Sequence, residues 1–157
     1  YSTNNNFCDR VLELANVDCD VITIFGSFND MSIDLGTVDD TGTDTLGGYI
    51  NTTLDNLYSV KPFVSVGIIL PTPWWGRTPK GGSENANKAI QYCVMLKEIA
   101  EKRSIPVLDL FHNSNLHPNE ENFRNEFFYQ ADGTHPNNKG HQKIAPMITQ
   151  FLNQLIG

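Results

Sequence analysis

Short apolar runs of strand length alternate along the chain with longer stretches in which apolar residues recur every three or four positions. Phe7, Val11, Leu14 and Ala15 follow Asn4, Asn5 and Asn6, which are candidate helix caps, and predict a helix over about residues 6–16. VITIF, residues 21–25, is β-branched and lacks polar alternation, the pattern of a strand buried on both faces of a parallel sheet. Asp44 is a candidate cap for a second helix, whose stripe is Leu46, Tyr49, Ile50, Thr53, Leu54 and Leu57 and which Lys61-Pro62 ends. FVSVGIIL, residues 63–70, reads as a second strand, and PTPWWGRTPKGGSEN must be loop. A helix over about 85–103 turns Ala89, Ile90, Cys93, Leu96 and Ala100 inward. Residues 105–110 form a third strand, and 111–131 are irregular, with one short helix near 122–128. A last helix, about 138–155, carries Ile144, Ile148, Phe151, Leu152 and Leu155, and Pro146 is expected to kink it.

The order α-β-α-β-α-β-α predicts one α/β domain over residues 1–157, with a parallel sheet covered on both faces. Ligands of such sheets bind at the carboxyl ends of the strands. Three loops therefore matter: those after Phe25, after Leu70 and after Leu110. Each carries something unusual, respectively GSFND, Trp74-Trp75 and the segment ending in DGTH.

Composition narrows the functions. A length of 157 residues suits a single core. The net charge of −7, with no Lys/Arg cluster, sets nucleic acid aside as a partner. The longest apolar run, residues 63–70, is too short to cross a bilayer, and no stretch reads as a secretory signal. Cys8, Cys19 and Cys93 lack ligand spacing, and an odd count argues against a disulfide scaffold. Cys8 and Cys93 fall on apolar helix faces as small hydrophobes.

Asp132 and His135, joined by Gly133-Thr134 and followed by Pro136, could be a general base and the carboxylate that fixes its tautomer. The same residues also suit a plain turn, and a D-x-x-H match alone is weak. Asn29, after Gly26-Ser27-Phe28, could donate to an oxyanion, an interaction worth about 3 kcal/mol. It too has a turn-forming alternative. Trp74 and Trp75 could be a lid over the core or could line a substrate, stacking on a sugar ring. His112, His117 and His141 suit loop and capping positions better than a metal site.

Together, G-x-x-N-D after a strand and D-x-x-H-P before the terminal helix resemble the SGNH, or GDSL-like, hydrolase family over its second two thirds. The resemblance implies a flavodoxin-like α/β/α sandwich and hydrolysis of acyl esters. His135 would be the base, Asp132 its partner, Asn29 an oxyanion donor, and Asp30 a brace for the Asn29 loop. This chemistry needs neither metal nor cofactor. There are departures. Ser27 stands where the family has glycine, and Gly26 lies one place earlier. The family's early strand and Gly-Asp-Ser loop, which carry its nucleophile, and its glycine oxyanion donor have no counterpart. Ser2, Ser83 and Ser114 lie in loops without a supporting motif, and FGSF is no nucleophile elbow.

The chain opens on Tyr1 rather than Met, as a processed or partial product would. The expectation is a sheet lacking the family's N-terminal strands. The serine would lie upstream, and a clipped N-terminal piece or another copy would cover the apolar edge of Val21–Phe25. The loop text GTVDDTGTDTLGGYIN and PTPW also looks like SGNH domains of phage tail and bacterial surface proteins, which would place the substrate on extracellular acylated glycan. The rival expectation is a non-catalytic glycan-binding module.

Overall fold

A computed structural model describes residues 6–26, 29 and 32–157. Its elements run α1 (Phe7–Arg10), a 3-10 turn (Val11–Asn16), β1 (Val21–Phe25), α2 (Leu46–Val60), β2 (Ser65–Leu70), α3 (Glu84–Lys102), β3 (Val107–Asp109), α4 (Leu110–Asn113), α5 (Glu121–Phe127) and α6 (Asn138–Ile156). The strands form one parallel sheet in the order β1-β2-β3.

Successive strand residues point to opposite faces, and β2 shows this directly. Val66, Ile68 and Leu70 join the core built with Leu54 and Leu57 of α2 and Ala89, Cys93, Leu96 and Ile99 of α3. Ile69 points the other way, into a second core with Ile144, Phe151 and Leu155 of α6 and Phe128. Leu54 and Leu57 are fully buried, and each such side chain contributes about 2 kcal/mol. Gly67 lets α6 lie close on the sheet, because a Cβ there would sit 2.6 Å from Leu155 Cδ1 and 2.8 Å from Phe151 Cε1. The architecture is the expected α/β sandwich, with helices on both sides of a parallel sheet.

Local details depart from the sequence reading. Thr45, not Asp44, caps α2: its hydroxyl accepts from the Gly48 N–H, and it also donates to Asp40 at 2.8 Å. The first helix tightens to 3-10 after Arg10. β2 starts at Ser65, leaving Phe63 98% exposed. β3 is short because Asp109 caps α4, so Leu110 is already helical. VITIF is not buried on both faces. It pairs along one side with β2, its first four residues are half-buried, and Phe25 is 49% exposed. Pro146 lies inside α6, as its place in the stripe of the last helix implied. Cys8 and Cys93 are buried and free, and burial pushes the Cys93 thiol up to about 12, where it is inert. Among the described residues, no helix is long and apolar enough to cross a membrane.

Candidate active site

β1, β2 and β3 are parallel, so their carboxyl ends share one edge of the sheet. Past β1, Gly26 lies under the Tyr92 side chain: a Cβ there would lie 2.7 Å from its hydroxyl, which would have to shift. Asn29 is exposed and lines a largely apolar cavity of about 440 Å³ together with Ile24, Leu46, Ile50 and Tyr92. Ser27 and Asp30 lie outside the described residues.

The Asp132–His135 turn is over-determined by its surroundings. Gln130 and Ala131 have φ of 47° and 54°, a left-handed conformation costing non-glycine residues about 1 kcal/mol or more each, and Gly133 follows at 67°. Several bonds hold this shape. The Tyr129 N–H donates to His135 O at 2.9 Å, and the Asp132 N–H donates to Tyr129 O at 2.8 Å. The Asn137 N–H donates to Phe127 O at 2.9 Å, while the Asn137 side chain caps α6 by accepting from Lys139 and Gly140.

Within the turn, Asp132 Oδ1 accepts from the N–H groups of Thr134 at 2.7 Å and His135 at 3.0 Å. Asp132 Oδ2 lies 2.7 Å from His135 Nδ1. Burial pushes the Asp132 carboxyl up. The bonds from the His135 ring and from the His135 and Thr134 N–H groups, with the attraction of the imidazolium, outweigh it and hold the carboxyl below its usual value. The His135 side chain is 74% exposed. With Nδ1 committed to Asp132, Nε2 is the nitrogen that can exchange a proton with a substrate or nucleophile.

The two tryptophans differ in burial. Trp74 packs against the core beneath α2 and α3, with the Arg77 guanidinium 4.7 Å over its ring. Trp75 is 60% exposed, and its N–H donates to Gly133 O at 2.8 Å, inside the Asp-His turn. The structure thus brings Asp132, His135 and Trp75 together. Asn29 comes from the loop after β1 at the same edge.

Ser83 is the cap of α3, accepting from Ala86, and Ser114 is buried, with its Oγ accepting from Leu116. Ser2 lies outside the described residues. Among the described residues, no serine hydroxyl is hydrogen-bonded to His135. No group of three or more His, Cys, Asp or Glu among them could hold a metal.

Two features escaped the sequence reading. Asp109-Leu110-Phe111-His112 repeats the D-x-x-H spacing and forms a second bonded pair, Nδ1 to Oδ2 at 2.8 Å, with Lys97 on the same carboxylate. That spacing was there to be seen. Arg124, stacked 4.5 Å over Trp75, had no local signal, because the contact joins positions far apart in the chain.

Several solved structures share this fold. A protein from Lactobacillus plantarum superposes with a TM-score of 0.75 at 23% identity, over 92% of this chain and 72% of that one. A possible lipase from Chitinophaga pinensis gives 0.68 at 19%, over 97% and 80%. A carbohydrate esterase family 3 protein from Talaromyces cellulolyticus gives 0.58 at 20%, over 98% and 70%. At these identities the likeness is one of fold. No curated protein matches the chain in sequence. The sequence model of the GDSL-like Lipase/Acylhydrolase family, however, matches residues 2–143, a span that holds the whole sheet, both tryptophans and the Asp132–His135 turn. The chain belongs to the GDSL-like lipase/acylhydrolase family, and ester hydrolysis is the activity that this membership supports.

Proposed function

We propose that this domain is a serine esterase that removes acyl groups, acetyl first among them, from carbohydrate. The observation that carries the reading is the 2.7 Å Asp132–His135 bond, presented on an exposed imidazole. In the reaction, a serine hydroxyl attacks the ester carbonyl while His135 Nε2 takes its proton. Asp132 stabilises the imidazolium, and the Asn29 amide donates to the oxyanion. The imidazolium then protonates the leaving alkoxide, and water releases the acid by the same steps. Trp75 would offer its open face to a sugar ring, and the fold shared with the Talaromyces cellulolyticus carbohydrate esterase is consistent with such a substrate.

The nucleophile, in this reading, is carried by a segment upstream of Tyr1 that adds a parallel strand to the free side of β1. Support comes from the 49% exposure of Phe25 and the 42% exposure of Phe7, apolar surface that a further strand would cover. The cavity lined by Phe7, Ile24 and Asn29 opens on the same region.

The test is p-nitrophenyl acetate hydrolysis by the full-length gene product and its His135→Ala variant. The variant should be slower by about a hundredfold or more; equal rates would sink the esterase reading. Intact mass spectrometry of the purified product shows whether an N-terminal piece travels with the chain. The exposed Trp75 also suits a non-catalytic glycan-binding module. Acetylated-oligosaccharide binding that Trp75→Ala abolishes, with no acetate released by the wild type, would select that reading.

A further inference from the structure

Gly133 sits between Asp132 and His135 in a left-handed conformation, and its surroundings leave it no room. A Cβ on it would lie 2.6 Å from Trp75 Cβ and 2.8 Å from Arg124 Cδ. Its carbonyl accepts from the Trp75 backbone N–H at 2.8 Å. Both neighbours are themselves fixed. The Arg124 guanidinium stacks on the Trp75 ring at 4.5 Å and donates through Nη1 to Pro118 O at 2.9 Å. The Trp75 loop is closed by paired bonds between Trp74 and Arg77, and it is tied to residue 119 by the Gly76 N–H donating to Asn119 Oδ1 at 3.0 Å. Asn119 in turn donates to Thr78 Oγ1 at 3.2 Å. Two loops and one helix thus converge on a single glycine.

We propose that Trp75 and Arg124 are positioning residues: they clamp Gly133 and so fix the direction in which the Asp132–His135 pair presents its imidazole. Neither bonds to the carboxylate or the ring; they act through the peptide that joins them. Without the clamp, a turn holding Gln130 and Ala131 in left-handed conformations has a lower-energy alternative open to it. Misplacement of a catalytic group by about 1 Å can lower a rate about a hundredfold. The catalytic consequence rests on the esterase reading; the clamp itself does not.

The experiment therefore has two readouts on the full-length gene product. The first is the carboxyl titration of Asp132, followed by carbon NMR. In the wild type it lies below the usual carboxylate value, and it should move up toward about 3.9 in Arg124→Ala, which removes the Cδ beside Gly133, and in Trp75→Ala, which keeps the Cβ and backbone N–H but removes the ring that seats Arg124. The second is p-nitrophenyl acetate kinetics, where kcat should fall about ten- to a hundredfold while KM changes less than about threefold. Trp75→Phe and Arg124→Lys should restore most of both. An Asp132 titration that stays at its wild-type value in both alanine variants overturns the proposal. Should either fail to fold, Trp75→Leu and Arg124→Met are read the same way, and unchanged titration in both overturns it equally. A wild type that hydrolyses no ester would defeat the esterase reading while leaving the titration to decide the clamp.

Discussion

The molecule contains two Asp-x-x-His pairs with nearly the same internal geometry. In each, one carboxylate oxygen accepts the histidine N–H at 3.0 Å and the other lies against Nδ1, at 2.8 Å for Asp109–His112 and 2.7 Å for Asp132–His135; in the first pair Nδ1 is also 3.0 Å from the oxygen that accepts the N–H. Their settings differ. Asp109 caps α4, is shared with Lys97 and has a side chain only 12% exposed, and His112 leans edge-on against buried Phe111 at 5.0 Å. Asp132 is 36% exposed and answers to its own turn, and His135 is 74% exposed against 35% for His112. The residues between the acid and the base explain the contrast. Leu110 and Phe111 are core residues that draw the first pair into the fold, whereas Gly133 and Thr134 form a turn that holds the second pair out. An i, i+3 spacing therefore makes an Asp–His bond cheaply in either place. What else claims the carboxylate, and whether the ring is reachable, decides what the bond is for.

The largest effect should separate the two histidines. His135→Ala is expected to slow ester hydrolysis by the full-length product about a thousandfold, and His112→Ala by less than about twofold. Comparable losses would erase the distinction. Next in size is the role of the intervening residues in stability. Leu110→Ala, at a fully buried position, should cost about 3 kcal/mol in urea unfolding, and Thr134→Ala less than about 0.5 kcal/mol. The smallest effect concerns acid. Burial raises the Asp109 carboxyl, but the bonds from Lys97, the His112 N–H and the His112 ring, with the imidazolium charge, outweigh it and hold the carboxyl below its usual value. A carboxyl depressed in the folded state stabilises fully above about pH 4 and loses that contribution as pH falls through its folded value. Asp109→Asn should therefore lower the unfolding free energy from urea titration at neutral pH by about 1 kcal/mol and match the wild type in strong acid. A deficit that persists undiminished at low pH would mean that Asp109 acts by packing rather than charge.

Much of this was legible in the sequence because it is local. VITIF and the last six residues of FVSVGIIL are strands, since β-branched and apolar runs of that length have no better way to bury themselves, and the stripes of α2, α3 and α6 give the faces they bury. The Asp132–His135 bond is local too, closed by a turn of two residues. Errors arose where neighbours in sequence compete and distant partners choose. Thr45 displaced Asp44 as a cap, with its hydroxyl also engaged by Asp40. Leu110 left the third strand once Asp109 began to cap α4.

The sequence by itself determined the α/β order, the edge that the loops after the strands share, and the Asp-x-x-His spacing, because periodicity and short-range bonding are written in consecutive residues. Only the tertiary structure decided which Asp–His pair is the more exposed, that the half-buried β1 pairs with β2, and that Trp75 and Arg124 meet over Gly133. Those outcomes depend on what packs where, and each contact joins positions whose separation along the chain carries no periodic trace.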